Sequence, residues 1–347
     1  MDSQWLGRTT DEAMSVLPAH LFDWLVGGSG REESLTAARD AWSHIVLAPD
    51  AGIDVSEIDS STTLLGQHVQ APIGVAPTGF HGLLHPSGES GTAQACAENG
   101  LLFTLSSRAS LRFEESVIPG APWWFQAYVV HDRGVTADQV ARAVALGATA
   151  IVLTVDTPVL PARRRSRDGG LVDAATMLRN APEGTPLAAL EQSPTVTTRD
   201  VQWLAQLSGL PIVVKGVLRP DTALRFVDAG ARAIWVSNHG GRQLDGAVAP
   251  AKALSTIVTA VPEDIEVYVD GGVRSGIDVL RAVALGARCA FVGRAPMLGL
   301  AAGGRQGAAD VLFRLRAEFS QAMQLCGRTT VDLIGPDLIW HDGTRRH

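Results

Sequence analysis

The stretch Ala233-Ile234-Trp235-Val236-Ser237-Asn238-His239-Gly240-Gly241-Arg242 joins an apolar run directly to reactive side chains. Its first four residues are typical of a buried strand. His239 and Arg242 follow the strand end closely, so both are expected at the same mouth, and the two glycines let the backbone pass close to a bulky group. Histidine exchanges protons near neutral pH, and arginine binds a carboxylate through two parallel hydrogen bonds. The stretch predicts proton chemistry on a small acid; the alternative is a glycine-capped turn with a surface histidine and arginine.

Seven further apolar runs of similar length lie between residues 72 and 292, and most of them alternate with amphipathic helices. One such helix covers 135–146 and ends at Gly147, and another begins behind the candidate N-cap Ser275. Eight strands that alternate with helices predict an α/β fold, the (β/α)8 TIM barrel. The seven runs are Pro72–Pro77, Leu101–Leu105, Trp124–Val129, Ala150–Val155, Pro211–Val214, Glu266–Val269 and Cys289–Val292.

The chain shows no linker-like tract rich in Ser, Gly and Pro, so residues 1–347 are expected to form a single domain. Residues 1–70 precede the first barrel strand and are expected to form an N-terminal cap, helical over its first 45 residues. Helix breaks are expected there at Leu17-Pro18 and at Gly27–Gly30.

The segment 163–200 carries many charges and several prolines without a clean period. A long irregular loop on the catalytic side of a barrel predicts an active-site lid. Within it, the side chains of Arg164, Arg165 and Arg167 are interpreted as a solvated charge run.

Composition restricts the class of protein. The chain is 46% hydrophobic and 19% charged with a net charge of −7, and its mean hydropathy is +0.13 with a pI near 5.7. An acidic, well-cored chain without a basic tract disfavours a nucleic-acid partner. The three widely spaced cysteines predict neither a zinc site nor a disulfide frame, which fits a cytoplasmic location. No signal peptide and no membrane span is expected.

Polar residues follow every predicted strand, and in such barrels the chemistry lies at the carboxyl ends of the strands. The convergence of so many polar groups on one end predicts a catalytic or binding site there. In strand order the residues are Thr78 and Gly79; Ser106, Ser107 and Arg108; Gln126 and Tyr128; Thr154, Asp156 and Arg163; Lys215; Ser237, His239 and Arg242; Asp270, Gly271, Gly272 and Arg274; and Gly293 and Arg294.

The last two strand ends predict a phosphate site. Asp270–Ser275 ends one strand and opens a helix, and Gly293-Arg294 ends the next strand. Backbone N–H groups at a helix start, together with arginine, bind phosphate at this place in TIM barrels. The alternative for the glycines is simple helix capping.

Two further residues suggest chemistry. Lys215 follows an apolar strand, where a buried ammonium needs an electron-rich partner; it suits either a Schiff base or a cation that stabilises a reduced cofactor. Asp156 is placed to orient His239 and to stabilise its protonated form. The alternative for Asp156 is a turn or a helix cap.

Together these motifs resemble the FMN-dependent 2-hydroxy acid oxidase and dehydrogenase family. The resemblance spans nearly the whole chain, from Leu17-Pro18 to Val292-Gly293-Arg294, and within the family it is strongest toward the hydroxymandelate oxidases. It rests above all on Ser237–Asp245, Val214–Val217 and Asp270–Arg274. It implies FMN as cofactor, a small 2-hydroxy acid as substrate and often a tetramer, and it leaves open whether O2 or another acceptor reoxidises the flavin.

The resemblance also implies residue roles. His239 would be the base with Asp156 behind it, Arg242 and Arg163 would hold the substrate carboxylate, and Tyr128 would support the substrate. Lys215 would lie beside the flavin N1/O2 edge. The remaining flavin contacts would come from Pro77, Thr78, Gly79, Ser106, Gln126, Thr154 and Ser237, and the ribityl and phosphate contacts from Asp270, Gly271, Gly272, Arg274, Gly293 and Arg294. No metal is expected.

Three departures from the family pattern bear on the substrate. Trp24 stands where a tyrosine commonly contacts the carboxylate, Gly79 where alanine is common, and Arg108 where glycolate-type enzymes carry tryptophan. These changes and a compact lid predict a larger substrate, aromatic or extended, with an acidic or tethered group near Arg108. The alternative for Arg108 is a salt-bridged arginine at the edge of the site.

Three functions compete. The first is oxidation of an (S)-2-hydroxy acid to the 2-oxo acid. The second is FMN-dependent oxidation of a carrier-bound or esterified 2-hydroxy acyl group. The third is a flavin- or phosphate-binding barrel without catalysis, in which His239→Ala would change nothing.

Overall fold

Eight parallel strands close into a barrel in the computed structural model, which describes residues 4–162, 165 and 171–340. The closing pair joins β10 to β3, with Ala290 opposite Ile73. The predicted (β/α)8 barrel is confirmed, and every predicted apolar run overlaps a barrel strand. The strands are β3 (Ile73–Val75), β4 (Leu102–Ser106), β5 (Trp123–Ala127), β6 (Ile151–Thr154), β7 (Ile212–Val217), β8 (Ala233–Val236), β9 (Glu266–Asp270) and β10 (Cys289–Val292).

The barrel interior is filled by large aromatic side chains. Trp235 packs on Phe291 with ring centroids 3.8 Å apart, and Tyr268 lies 5.2 Å from Trp124. Alternate residues of the same strands face outward into a larger apolar layer under the helices. Because strand side chains alternate between two faces, the barrel is packed on both surfaces.

A short antiparallel hairpin, β1 (Thr62–Leu64) and β2 (Gln67–Val69), precedes the barrel. Leu64 and Val69 belong to the same buried cluster as the barrel interior. The backbone N–H of Leu65 also donates to Glu266 Oε1 at 3.0 Å, at the start of β9. The hairpin therefore covers the amino-terminal end of the barrel, opposite the end that carries the polar residues.

Helices surround the barrel and follow its strands. Asp132 caps α6, its Oδ1 accepting from the N–H of Gly134 at 2.8 Å, and Ser275 caps α11 as predicted. The helices of this layer are α4 (Gly88–Asn99), α5 (Phe113–Ser116), α6 (Arg133–Ala145), α7 (Ala174–Met177), α8 (Arg199–Ser208), α9 (Pro220–Asp228), α10 (Pro250–Ala260), α11 (Gly276–Ala284) and α12 (Arg294–Leu325).

Three helices form the start of the chain: α1 (Gln4–Val16), α2 (Ala19–Val26) and α3 (Glu33–Ser43). They are separated at Leu17-Pro18 and by residues 27–32, as the sequence predicts. Trp42 of α3 is buried, and its indole N–H donates to the carbonyl of Gly271 at 2.8 Å. The first helices are thereby attached to the loop after β9.

The segment between β6 and α8, here called the β6–α8 loop (residues 155–198), is more regular than the sequence predicts. It contains α7 and a 3-10 turn at Leu187–Leu190, and α8 begins at Arg199, inside the predicted lid. Its second half is hydrogen-bonded to the segment after β5, with Ser193 N donating to Val129 O at 2.9 Å. Local sequence propensity did not predict this regular structure, because the loop is stabilised by hydrogen bonds to a segment that is distant in sequence. Over the described ranges, no helix is both long and apolar enough to span a bilayer.

Candidate active site

A layer of polar side chains lies directly above the aromatic layer at the carboxyl end of the barrel. Each of its members is two or four residues beyond an interior apolar residue on the same strand, so the strand period points it inward. Ser106 Oγ donates to Gln126 Oε1 at 3.1 Å, and Gln126 Nε2 donates to Thr154 Oγ1 at 3.0 Å. The layer consists of Ser106, Gln126, Thr154, Lys215, Ser237 and Asp270, all buried.

Lys215 is neutralised within this layer. Its ammonium lies 3.0 Å from Asp270 Oδ2 and donates to Ser237 Oγ at 2.9 Å, while Ser237 Oγ donates to Asp270 Oδ1 at 2.6 Å. The ammonium also lies 5.4 Å from the ring centre of Trp235. A buried lysine needs such partners, and the network fixes its position below the cavity.

His239 and Asp156 meet across the barrel end. His239 Nδ1 lies 3.0 Å from Asp156 Oδ1. Burial tends to raise the pKa of Asp156, but the charge and hydrogen bond of His239, with help from Lys215, lower that pKa overall. The second carboxylate oxygen, Oδ2, is buried without a hydrogen-bond partner among the described residues. The pair thus holds an ionised carboxylate against one ring nitrogen and leaves Nε2 for the cavity.

Gly216 makes this pairing possible, a role that no sequence signal indicated. A Cβ added to Gly216 would lie 2.6 Å from Asp156 Cγ, and the residue has a φ of +107°. The pairing register between β7 and β8 shifts between Lys215 and Val217, so Gly216 occupies a bulge. Only glycine gives Asp156 room at this point.

Three arginines converge on the cavity. Arg242 donates to the carbonyls of Trp24 at 2.7 Å and Gly27 at 3.0 Å. Arg294 donates to the carbonyls of Leu25, Gly27 and Gly240. Burial lowers the pKa of Arg294, and repulsion from Arg242 and Arg274 lowers it further. Such a cation cluster favours a bound anion.

The first helices are hydrogen-bonded to the loop after β8, residues 237–246, here called the histidine loop. Asp245, nine residues after the last residue of β8, accepts from the backbone N–H of Arg31 at 2.7 Å and of Ser34 at 2.9 Å, at the start of α3. These hydrogen bonds, first that from Ser34, lower the pKa of Asp245. A Cβ on Gly241 would lie 2.6 Å from Leu35 N, so glycine is required for this close approach.

Arg165 is exposed, as the predicted solvated charge run requires, but it is also paired with a carboxylate. Its guanidinium lies 2.6 Å from Glu32 Oε2, and Glu32 Oε1 accepts from the N–H of Gly28 at 3.0 Å. The ion pair was not predicted, because the charge of Glu32 comes from a part of the chain far away in sequence. Arg163, Arg164 and Arg167 lie outside the described residues.

Glu89 is a buried carboxylate that the sequence analysis missed. One oxygen accepts from the N–H groups of His81 and Ser110, and the other from Ser110 Oγ and the N–H of Leu111. Glu89 thereby joins the loops after β3 and β4. Its only sequence signal is a glutamate in the first turn of α4, which is common on exposed helix starts.

The residues that depart from the family pattern lie on these loops and on α2. Arg108 donates to the carbonyl of Leu190 in the β6–α8 loop, and a Cβ on Gly79 would lie 3.1 Å from Arg108 Cβ. The guanidinium of Arg242 lies 5.4 Å from the ring centre of Trp24. Tyr128 packs near Met177 and Leu178 of the loop.

A cavity of about 900 Å³ joins these groups. Asp156, Gln126, Thr154 and Ser237 do not line it and instead lie behind the residues that do. The sequence-predicted residues on its wall are Trp24, Pro77, Thr78, Gly79, Ser106, Arg108, Tyr128, Lys215, His239, Arg242, Asp270, Gly271, Gly272, Arg274, Gly293 and Arg294.

FMN fits what these residues offer. The cavity is large enough for a flavin and a small acid together. Gly271, Gly272 and Gly293 line one wall of the cavity, so that wall is bare backbone. A Cβ on Gly272 would lie 2.0 Å from the carbonyl oxygen of Ala38, so a larger residue does not fit there. Arg274 and Arg294 supply positive charge beside that wall. When bound, FMN would accept two electrons from the substrate.

Comparison with known proteins identifies the family. A model of the FMN-dependent dehydrogenases matches residues 13–341. The chain belongs to this family. It is therefore an FMN-dependent enzyme of the kind that oxidises 2-hydroxy acids, as the sequence motifs predicted, and the non-catalytic interpretation is not supported.

Several relatives are almost equally similar. An L-lactate oxidase of Nostoc sp. is 41% identical over 88% of this chain and 89% of its own length. A peroxisomal (S)-2-hydroxy-acid oxidase of Oryza sativa subsp. japonica is 39% identical, with coverage of 96% and 94%. A 4-hydroxymandelate oxidase of Amycolatopsis orientalis is also 39% identical, with coverage of 92% and 93%.

A solved structure of mandelate oxidase with (S)-4-hydroxymandelic acid superposes with a TM-score of 0.87 at 39% identity. It covers 94% of this chain and 96% of that chain. Sequence identity does not separate the candidate substrates, since the lactate and hydroxymandelate enzymes differ by two percentage points. The choice depends on the cavity.

Proposed function

We propose that this enzyme oxidises an (S)-2-hydroxy acid larger than glycolate or lactate, aromatic or extended, to the corresponding 2-oxo acid. The observation that carries the proposal is the apolar wall that the β6–α8 loop and Trp24 add to the cavity. On the loop this wall consists of Val159, Leu160, Leu171, Val172, Met177, Leu187 and Leu190. An apolar wall of this extent matches a substrate with an apolar body.

His239 acts as the base in this proposal. Its Nδ1 is held by Asp156 Oδ1 at 3.0 Å, so Nε2 is the ring nitrogen that accepts a proton from the bound acid. The ionised carboxylate of Asp156 then stabilises the imidazolium. Asp156 is a positioning residue, because it lies behind His239 and does not line the cavity.

The substrate carboxylate is assigned to arginine. Arg242 lines the cavity beside His239 and is oriented by the carbonyls of Trp24 and Gly27. A guanidinium held in this position is suited to bind a carboxylate through paired hydrogen bonds. Arg163 is proposed as the second carboxylate contact and Tyr128 as the residue that supports the substrate.

The cofactor contacts follow from the polar layer and the arginines. Lys215 would stabilise negative charge at the flavin N1/O2 edge, with its own charge balanced by Asp270. Arg274 and Arg294 would hold the phosphate against the bare backbone of Gly271 and Gly272. The remaining contacts are proposed for Pro77, Thr78, Gly79, Ser106 and Gly293 on the cavity wall, and for Gln126, Thr154 and Ser237 from the buried polar layer beneath it.

We further propose one domain over residues 1–347, with residues 1–70 as cap and 163–200 as lid, and assembly into a tetramer. The electron acceptor is proposed to be O2, since the relatives named above are oxidases. A cytoplasmic location is supported by Cys96, Cys289 and Cys326, which are all buried and unpaired as disulfides. Light scattering of the pure protein would measure the assembly.

Anaerobic bleaching of the bound flavin tests the proposal. (S)-Mandelate should bleach the yellow protein faster than glycolate or (S)-lactate, and admission of air should restore the colour. His239→Ala should keep the flavin but slow bleaching on the order of a hundredfold to ten-thousandfold. Fastest bleaching by glycolate or lactate would overturn the assignment of a larger substrate, and faster bleaching by methyl mandelate would favour the esterified alternative.

A further inference from the structure

Arg108 is a largely buried cation in the wall of the active-site cavity. Burial lowers the pKa of its guanidinium, an effect that nearby Tyr128 opposes in part. Its backbone N–H donates to Ser106 Oγ at 3.1 Å, which fixes the main chain at the end of β4. The charge is therefore held in the cavity by a rigid part of the barrel.

No carboxylate among the described residues pairs with Arg108. Its guanidinium donates to a neutral acceptor, the carbonyl of Leu190. Some other partly buried arginines of this chain do have carboxylate partners, as Arg142 has in Glu114 and Arg281 in Asp278. The predicted salt-bridged alternative for Arg108 thus finds no partner there. A buried charge without a counter-ion is costly, so the site favours an anion supplied by a ligand.

Gly79 lies directly against Arg108. A Cβ at position 79 would lie 3.1 Å from Arg108 Cβ and 3.3 Å from Arg108 O, closer than ordinary contacts. An alanine there would displace the base of the arginine by a few tenths of an ångström. The two departures from the family pattern therefore form one feature, in which glycine leaves room for the Cβ and the carbonyl of Arg108.

Arg108 and Arg242 lie on opposite sides of the barrel end. Arg108 follows β4 and Arg242 follows β8, and in the closed order β10-β3-β4-β5-β6-β7-β8-β9 these strands are separated by the same number of strands in both directions. A 2-hydroxy acid whose own carboxylate is held at Arg242 and His239 can extend its far end toward Arg108.

We propose that Arg108 is a second anion subsite and that the substrate class is 2-hydroxy acids with a second, distal carboxylate, on an aliphatic or aromatic body. This rests on the proposed function and narrows its substrate. A guanidinium that uses few of its donors on protein suits a planar carboxylate.

Matched acid pairs test the subsite on the flavin-loaded enzyme. One pair is (S)-2-hydroxyglutarate and its 5-amide; the other is 4-carboxymandelate and 4-methylmandelate. The acidic member should have a kcat/KM about tenfold to a hundredfold higher, the range of a charge-assisted hydrogen bond. In Arg108→Met this preference should vanish while the neutral members change by about twofold or less, and Arg108→Lys should retain part of it.

Gly79→Ala serves as the second variant. It keeps the arginine but crowds it, so the acidic preference should fall by about threefold or more while bound flavin is retained. Equal turnover of acidic and neutral members by the wild type, or an unchanged preference in both Arg108→Met and Gly79→Ala, would overturn the subsite. If no 2-hydroxy acid bleaches the flavin, the proposed function itself fails; if only the neutral acids do, the subsite alone fails.

Discussion

At the scale of single residues, the position of the Asp156 carboxylate depends on the lack of a side chain at Gly216. Gly216 adopts a φ of +107° and leaves its Cβ position to Asp156. A side chain at position 216 would have two separate effects, namely backbone strain from the positive φ and a steric clash with Asp156. Gly230 separates them, because it has a φ of +100° but open space around its Cβ position.

Gly216→Ala should lose both stability and activity. Strain from a positive φ costs about 1 to 3 kcal/mol in the free energy of unfolding, and displacement of Asp156 should lower kcat on the order of a hundredfold. Gly230→Ala should show a similar loss of stability with kcat unchanged. Chemical denaturation and steady-state kinetics on both variants measure this; equal kcat values for the two would contradict the role of Gly216.

Single residues were predictable from sequence where a motif carried them. Lys215 lies on β7, where the strand period points it inward, and His239 and Arg242 lie in and just after the short turn beyond β8, so all three were expected at the carboxyl end of the barrel. Glu89 and Gly216 were not predictable, because their roles arise from neighbours that are distant in sequence. A buried glutamate and a surface glutamate at a helix start have the same local pattern.

At the scale of elements, α3 is capped by a residue from another part of the chain. The residue before it, Glu32, has no capping hydrogen bond of its own, and Asp245 supplies the acceptors instead. The cap thus ties the first helices to the histidine loop. Asp132, which caps α6 from its own N-cap position, offers a control without that tie.

Asp245→Ala should cost about 1 to 2 kcal/mol of stability and also lower kcat/KM. Asp132→Ala should cost a similar amount and leave kcat/KM unchanged. Because the folded-state pKa of Asp245 lies below its ordinary value of 3.8, its contribution is complete above about pH 5. The stability difference between wild type and Asp245→Ala should begin to shrink as the pH falls toward 3.8 and continue to shrink as it falls through the lowered folded-state pKa, as urea unfolding from pH 7 to 3 would measure.

Most elements followed from local patterns, and the exceptions have a common cause. The barrel strands are apolar runs of typical length, and Asp132 and Ser275 mark the starts of their helices. The hairpin β1–β2 and the turns of the β6–α8 loop were missed because they are stabilised by pairing with remote segments. Local propensity carries no information on such partners.

At the scale of the whole molecule, an acidic chain concentrates positive charge at one point. The net charge is −7, yet Arg242, Arg274 and Arg294 lie close enough to repel each other beside the cavity. An anion bound there relieves the repulsion. The phosphate of FMN is the group expected to do so.

FMN should therefore raise the Tm of the flavin-free protein more than riboflavin does. FMN at a hundred times its Kd should raise the free energy of unfolding by about 2.7 kcal/mol. For a chain of this size, that corresponds to a rise in Tm of roughly several degrees. Arg274→Gln should narrow the gap between the two flavins, whereas Arg219→Gln, which alters an exposed pair with Asp221, should not. Calorimetry measures the three proteins; equal shifts by FMN and riboflavin in the wild type would contradict this account.

The pairing of β10 with β3, which closes the barrel, can form only late in synthesis of the chain. β3 is among the first barrel strands to leave the ribosome, but its partner on one side is the last. Until β10 is made, one row of backbone N–H and C=O groups on β3 remains unpaired and can form hydrogen bonds with a strand of another chain. A chain truncated before β10 would keep two unpaired strand edges, one on β3 and one on β9. We therefore expect that a truncated transcript yields no shorter active form of this enzyme.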